Sequence, residues 1–204
     1  MILVGRYLSP FVRRTAITLS HYGMPFEHNP LSTMTDMEAI KGLNPVGRVP
    51  ILILDDGERL VDSAAILDHL DEQAGPARAL TPPAGPERRR VQQVVAIAVG
   101  TMEKAVGFSY ETKRRPAERQ HQPWIDNLKS QVAGGLAGLE AIEQQPWLAG
   151  PSMTQADVST AVLMQFLEAM TPDLLPAGAY PRLAAHTARM SALPAFQEIA
   201  APKP

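Results

Sequence analysis

None of the 204 residues is a cysteine, and that absence removes several chemistries at once. There is no structural disulfide, no thiolate-based zinc site and no Cys-x-x-Cys redox pair. If this protein handles sulfur chemistry, the sulfur arrives on a ligand. Net charge is also scarce: 19 basic against 21 acidic residues leave −2, too little positive charge for a nucleic-acid partner held by phosphate neutralisation. No apolar run approaches the ~20 residues that span a bilayer, so no membrane partner is expected. The first residues lack a basic region followed by a long apolar stretch, so no signal peptide is expected and the cytoplasm is the expected compartment. The five histidines, His21, His28, His69, His121 and His186, are scattered without ligand-like spacing, and no metal is expected.

What is present is a folded chain, 45% hydrophobic and 20% charged, long enough for one large or two small domains with real cores. Residues 2–7 read as a strand. After Pro10 the apolar spacing becomes Val12, Ala16, Leu19, one face of a helix. Phe26-Glu27-His28-Asn29 fits a short strand, and residues 33–42 a poorly periodic helix or turn. Asn44-Pro45-Val46-Gly47 reads as a loop, and residues 49–54 as a buried strand. Asp55-Asp56-Gly57 is a hairpin turn returning through Arg59-Leu60-Val61. Ser63 is expected to cap a helix with Ile66, Leu67 and Leu70 inside. The order β-α-β-α-β-β-α implies a small α/β domain with a mixed sheet over residues 1–75.

Prolines and glycines crowd residues 75–86, marking 76–86 as a linker. From 87 to 204 the pattern is that of an all-helical bundle. Its stripes are Val91, Val94, Val95, Ala98, Met102, Ala105, Val106; then Trp124, Leu128, Val132, Leu136, Leu139, Ile142; then Val158, Val162, Phe166, Met170. Thr154-Gln155-Ala156-Asp157 has the spacing of a capping box, with Met153 and Val158 as its hydrophobic staple. Arg88-Arg89-Arg90 opens a helix as a solvated face.

Three short motifs carry possible chemistry. Ser9-Pro10 places a hydroxyl and several unpaired N–H groups at a helix N-terminus, which suits an anion such as a thiolate, or simply starts a helix. Val49-Pro50 leads a buried strand. Were that bond cis, Val49 would turn its N–H and C=O toward an extended peptide; otherwise Pro50 is an ordinary strand start. Asp62-Ser63 offers an acid for an amine beside free N–H groups for a carboxylate, or an N-cap with a favourable acidic neighbour.

In this order and spacing, Ser9-Pro10-Phe11-Val12-Arg13-Arg14, Asn44-Pro45-Val46-Gly47-Arg48-Val49-Pro50 and Asp62-Ser63-Ala64-Ala65-Ile66 resemble the glutathione S-transferases. The resemblance covers the whole chain: the first half looks like the family's thioredoxin-like domain, the second like its helical domain. It implies glutathione as co-substrate, with Asp62 and Ser63 at the γ-glutamyl end and Val49, ahead of Pro50, on the cysteinyl backbone. Ser9 then points at the sulfur, as a hydrogen-bond donor to the thiolate. Tyr7 is the rival, since some branches use a tyrosine on this strand and Tyr7 shares a face with Ser9 if the strand continues. Arg48 and His28 are candidates for the glycyl carboxylate, with surface solvation the plainer reading of each. Phe11 is implied beside glutathione and, with Met102, Val106 and Tyr110, in an electrophile pocket between the domains. Met102 and Val106 fit the bundle core equally.

The implied function is transfer of glutathione to small apolar electrophiles, a detoxifying role, by a two-fold homodimer. The alternatives of the same fold are a carrier of glutathione or apolar ligands and a regulatory protein, as some bacterial relatives bind RNA polymerase. Isomerases of the zeta branch carry Ser-Ser-Cys at the first turn. Ser9-Pro10-Phe11 departs from that, which makes maleylacetoacetate isomerisation a poorer expectation; the missing cysteine also disfavours the thiol-based reductase branches.

Overall fold

The first strand is shorter than its apolar run predicts. In the computed structural model, which describes residues 1–200, β1 covers only Ile2–Val4. Gly5 ends it by taking φ +124°, a conformation that costs other residues a Cβ clash. Helix α1 (Pro10–Tyr22), β2 (Glu27–Asn29), α2 (Met37–Leu43), β3 (Ile51–Ile53), β4 (Arg59–Val61) and α3 (Ser63–Ala74) follow, in the predicted order. The sheet runs β2-β1-β3-β4, with β1 parallel to β2 and the other neighbours antiparallel. Leu3, Val4, Ile51 and Leu52 from the sheet, Val12, Ala16 and Leu19 from α1, and Ile66 and Leu70 from α3 are fully buried.

Among the described residues the chain divides into two units, one of residues 1–83 together with 192–200, the other Ala84–Ser191. In the first, a buried polar knot ties the segment after α3 to α1: the Tyr22 hydroxyl donates to Asp71. The Leu80 N–H donates to the Tyr22 oxygen at 2.6 Å and to Asp71 Oδ1 at 3.1 Å.

The second unit is built of α4 (Gly85–Lys113), α5 (Gln122–Glu140), α6 (Gln155–Met170) and α7 (Pro181–Ser191). Helix α4 buries Val91, Val94, Ala98, Met102 and Ala105, as its stripe predicts. The stripe of α5 begins at Ile125, one residue after the expected Trp124, which is 46% exposed. A Cβ on Gly135 of α5 would stand 1.9 Å from Thr101 Oγ1 of α4, so the α5 backbone lies directly against the Thr101 side chain there. Residues 155–167 of α6 are buried on every face, which marks it as the central helix of the unit. Its capping box forms: Asp157 Oδ2 accepts from the Thr154 N–H at 2.8 Å and the Thr154 hydroxyl at 2.9 Å. Oδ1 of the same carboxylate takes the Leu148 N–H at 2.9 Å.

Behind Asp157 lies His186 of α7, 1% exposed. Its Nε2 is 3.3 Å from the Asp157 carbonyl and its Nδ1 is 3.3 Å from the Arg189 guanidinium. A carbonyl only accepts and a guanidinium only donates, so the ring is neutral with the proton on Nε2. Burial, with Arg189 assisting and Asp157 opposing, holds its pKa below the usual value. The sign follows. As pH falls through ~6.5 the unfolded histidine takes up a proton that the folded one refuses, and stability is lost at up to ~1.4 kcal/mol per pH unit until the folded group titrates. Urea unfolding between pH 7.5 and 5 is expected to weaken more steeply for the native protein than for His186→Gln. Parallel curves would rule the assignment out.

The last described helix, α8 (Pro194–Glu198), belongs to the first unit and not to the helical bundle that periodicity predicts for residues 87–204. Arg13 of α1, 2% exposed, donates through Nε and NH2 to the Ile199 carbonyl at 3.2 and 3.1 Å and lies over the Phe196 ring. Burial pulls its pKa down to about 10, which leaves it charged at neutral pH. Ser20 donates to Glu198 Oε2 at 2.6 Å. Lys203, in the terminal four residues, lies outside the described residues.

Candidate active site

The strand register brings the three motif loops together. Val4 is opposite Asn29 on one side and Ile51 on the other, and Ile51 is opposite Val61. The chain leaving β1, the chain entering β3 and the chain leaving β4 therefore emerge at one edge of the sheet. Adjacent strands are ~4.8 Å apart, so the outer two of these loops start ~10 Å from each other. Side chains close the gaps: a Cβ on Gly5 would stand 2.6 Å from Val12 Cγ2 and 2.8 Å from Val49 Cβ. The Arg48 guanidinium lies 6.0 Å from the centre of the Phe11 ring.

Ser9 is the N-cap of α1, with extended backbone (φ −72°, ψ 122°) and Pro10 in the first turn. Its Oγ accepts from the Val12 N–H at 3.4 Å. Because that bond uses a lone pair, the hydroxyl proton remains to be donated, and among the described residues none takes it. Capping and donation are thus compatible in one side chain. Phe11 is half-buried in the same turn.

Tyr7 is placed differently from expectation. Since β1 stops at Val4, Tyr7 sits in the turn, and the shared strand face that made it a rival to Ser9 does not exist. Its ring stacks on His28, centroids 3.9 Å apart and planes 2° from parallel. Burial, and then the Glu198 carboxylate, push its phenol pKa up, so it stays protonated at neutral pH. His28 Nε2 is 2.7 Å from the Gly5 carbonyl, which commits that nitrogen to the backbone.

The Val49-Pro50 peptide is cis. Asn44, 4% exposed, fastens the loop ahead of it: Nδ2 donates to the Arg48 carbonyl at 2.9 Å and Oδ1 accepts from the Val46 N–H at 3.0 Å. At the third loop the cap is one residue earlier than expected. Asp62 caps α3, accepting from the Ala64 N–H at 3.0 Å, while Ser63 is the first helical residue, 2% exposed. No described residue pairs with the Ser63 hydroxyl. Asp62 has φ 69° and ψ 138°, a region that costs a residue with a Cβ about 1–3 kcal/mol and clusters at functional sites. Arg14, fully buried, feels the Asp62 charge, though burial dominates and lowers its pKa to about 10. Nothing in the sequence marks the left-handed Asp62. Gly5, by contrast, was open to detection as a glycine ending an apolar strand, a sign of close backbone approach.

The remaining expected contacts lie in the second unit. Met102 is fully buried in its core, Val106 is half-buried, and Tyr110 is exposed with the Arg114 guanidinium 3.7 Å above its ring. No cluster of three or more potential metal ligands occurs among the described residues, and no helix there is long and apolar enough to cross a membrane.

Comparison with known proteins identifies the family. Residues 3–79 match the glutathione S-transferase N-terminal domain and residues 122–189 the C-terminal domain. The chain is 31% identical over 168 residues to the uncharacterized GST-like protein YibF of Escherichia coli, covering 82% of each chain. It is 31% identical over 208 residues to a maleylacetoacetate isomerase of Pseudomonas aeruginosa, covering 97% of this chain and 94% of that protein. A glutathione transferase family member from Pseudomonas fluorescens, solved with bound glutathione, superposes with a TM-score of 0.88 at 30% identity, over 98% of both chains. With a thioredoxin-like sheet unit, a helical unit and three motif loops meeting at one sheet edge, the chain belongs to the glutathione S-transferase family.

Proposed function

We propose that the protein binds glutathione across the sheet edge and activates its thiol for attack on small apolar electrophiles. The observation that carries this reading is the convergence of the Ser9, Val49-Pro50 and Asp62-Ser63 loops at that edge. An extended tripeptide is ~10 Å long, the separation of the outer loops. The γ-glutamyl amine and carboxylate fall to Asp62 and to the N-terminus of α3 with the unengaged Ser63 hydroxyl. Val49 supplies N–H and C=O to the cysteinyl backbone in the manner of an added strand. The sulfur then lies at Ser9, and Phe11 beside it offers apolar surface. Arg48 stays a candidate for the glycyl carboxylate.

A free thiol with pKa near 8.5 is only a few per cent thiolate at neutral pH. Lowering the pKa by ~2 units takes ~2.7 kcal/mol. One hydrogen bond to a charged acceptor contributes ~1.5–3 kcal/mol, and the positive end of α1 adds to it. No general base is needed: the thiol proton goes to solvent, and the sulfur lone pair forms the new bond to carbon as the electrophile's leaving group departs with its bonding pair or, in an addition, as its π pair shifts away and is protonated from solvent.

Titrating glutathione while following thiolate absorbance at neutral pH tests this. Saturable binding with a thiolate signal is expected. Binding without the signal would make the protein a carrier, and no binding at millimolar glutathione would point to the regulatory alternative. A second reading, glutathione-dependent isomerisation, draws on the likeness to the P. aeruginosa maleylacetoacetate isomerase. It is disfavoured by Ser9-Pro10-Phe11 at the first turn, and turnover of maleylacetoacetate would establish it. The same reading implies a two-fold homodimer, to be checked by sedimentation at low concentration, and a cytoplasmic location, where glutathione is kept reduced.

A further inference from the structure

We propose that His28 is a positioning residue that fixes the turn presenting Ser9, by holding the Gly5 carbonyl from the neighbouring strand. The inference rests on the reading of Ser9 as donor to the glutathione thiolate.

Two consecutive residues of β2 grip Gly5 from both of its polar sides. The Gly5 N–H donates to the Asn29 carbonyl at 2.9 Å, a bond that continues the parallel ladder. The Gly5 carbonyl faces His28 Nε2 at 2.7 Å. As a carbonyl can only accept, Nε2 carries a proton and donates. The Tyr7 ring, two residues farther along the turn, lies flat on the same imidazole at 3.9 Å. His28 therefore holds the turn at its start and its middle. The far end is closed by a four-residue turn ahead of α1, in which the Ser9 N–H donates to the Arg6 carbonyl at 3.0 Å.

Gly5 is the point from which this turn pivots. Its φ is +124°, and its flanks are filled by Val12 and Val49, so a small rotation of its carbonyl swings the following residues. A catalytic donor needs placement within about 0.5 Å, and a turn with one free pivot does not supply it. The hydrogen bond from His28 removes that freedom. It also explains why a histidine occupies the middle of a three-residue edge strand, where β-branched residues are favoured.

His28→Phe keeps a flat ring for Tyr7 and deletes the donor. His28→Gln places an amide N–H near the position of Nε2 and deletes the ring. The readouts are the pH titration of bound glutathione by thiolate absorbance, glutathione affinity and melting temperature. His28→Phe is expected to raise the apparent thiol pKa by about one unit, from about 6.5 to about 7.5, which is about threefold less thiolate at pH 7, with affinity within about threefold of native. His28→Gln is expected to restore the thiolate to within about twofold.

An unchanged thiolate titration in folded His28→Phe overturns the proposal, whatever its melting temperature. A Gln variant as impaired as the Phe variant also overturns it, because the hydrogen bond would not be the agent. Should His28→Phe not fold, the Gln variant decides alone: a native-like thiol pKa supports the proposal, and a rise of about one unit overturns it. Native protein that binds no glutathione, or binds it without a thiolate signal, brings down the proposed function and this inference with it. A thiolate signal in the native protein that survives His28→Phe removes only the role of His28.

Discussion

Replacing Ser9 by alanine is expected to raise the pKa of bound glutathione by ~1–2 units and cut its thiolate at pH 7 by about 3- to 25-fold. That follows from the loss of one hydrogen bond to a charged acceptor, ~1.5–3 kcal/mol, at 1.36 kcal/mol per pKa unit. Glutathione affinity is expected to stay within a few-fold, since the γ-glutamyl and cysteinyl contacts lie on other loops. The substitution also removes the cap on the Val12 N–H, which costs about 0.5–2 kcal/mol of stability. Glycine separates the two effects. As an N-cap it forfeits only a few tenths of a kcal/mol relative to serine, yet it has no hydroxyl. Ser9→Gly should therefore melt near the native temperature and lose as much thiolate as Ser9→Ala. If thiol ionisation were native-like in Ser9→Gly, Ser9 would be a helix cap and the N-terminus of α1 would act alone.

Gly5→Ala is expected to cost about 2–6 kcal/mol of stability. Two terms add. A side chain at φ +124° costs about 1–3 kcal/mol, and overpacking costs about 1–3 kcal/mol more. Overpacking cannot be relieved cheaply, because the new Cβ meets Val49 Cβ at 2.8 Å as well as Val12 Cγ2 at 2.6 Å. Urea unfolding measures the loss. Val12→Ala as a second substitution is expected to recover only part of it, as the backbone strain and the Val49 contact remain. A loss below about 1 kcal/mol would mean that the β1–α1 turn re-forms around the methyl group, and the rigidity claimed for it would fail.

The succession of elements was legible because each is marked by its own period and punctuation. Val12, Ala16 and Leu19 repeat at helical spacing, Asp55-Asp56-Gly57 turns, and the Pro/Gly-rich stretch after Gly75 separates two styles of pattern. The termini of elements were less legible. β1 reads as running to Tyr7 because the apolar and aromatic residues on both sides of Gly5 outweigh the one signal, the glycine itself, that the strand ends there. Ser63 is as good a cap as Asp62 on preference alone, and only the tertiary placement of β4 selects Asp62. Trp124 fits the α5 stripe by spacing, but the burial limit falls one residue later, at Ile125. The residues of the three site loops were found through motif and order. Their meeting depends on strand register, which a single sequence does not encode locally. His28 illustrates the limit: the residue was visible as polar and near the site, while its partner, a backbone carbonyl, is invisible in any side-chain pattern.

The packing of α8 on α1 has a consequence for synthesis. As the chain leaves the ribosome, the sheet and α1–α3 are complete in sequence by residue 83, yet the bonds from Arg13 to the Ile199 carbonyl and the packing of Phe196 on α1 cannot form until Phe196 and Ile199 have been made. Domains usually fold one after another as the chain grows. Here the first unit to emerge is the last to be finished, so the whole helical unit is translated while its predecessor waits with a buried-charge site open to water.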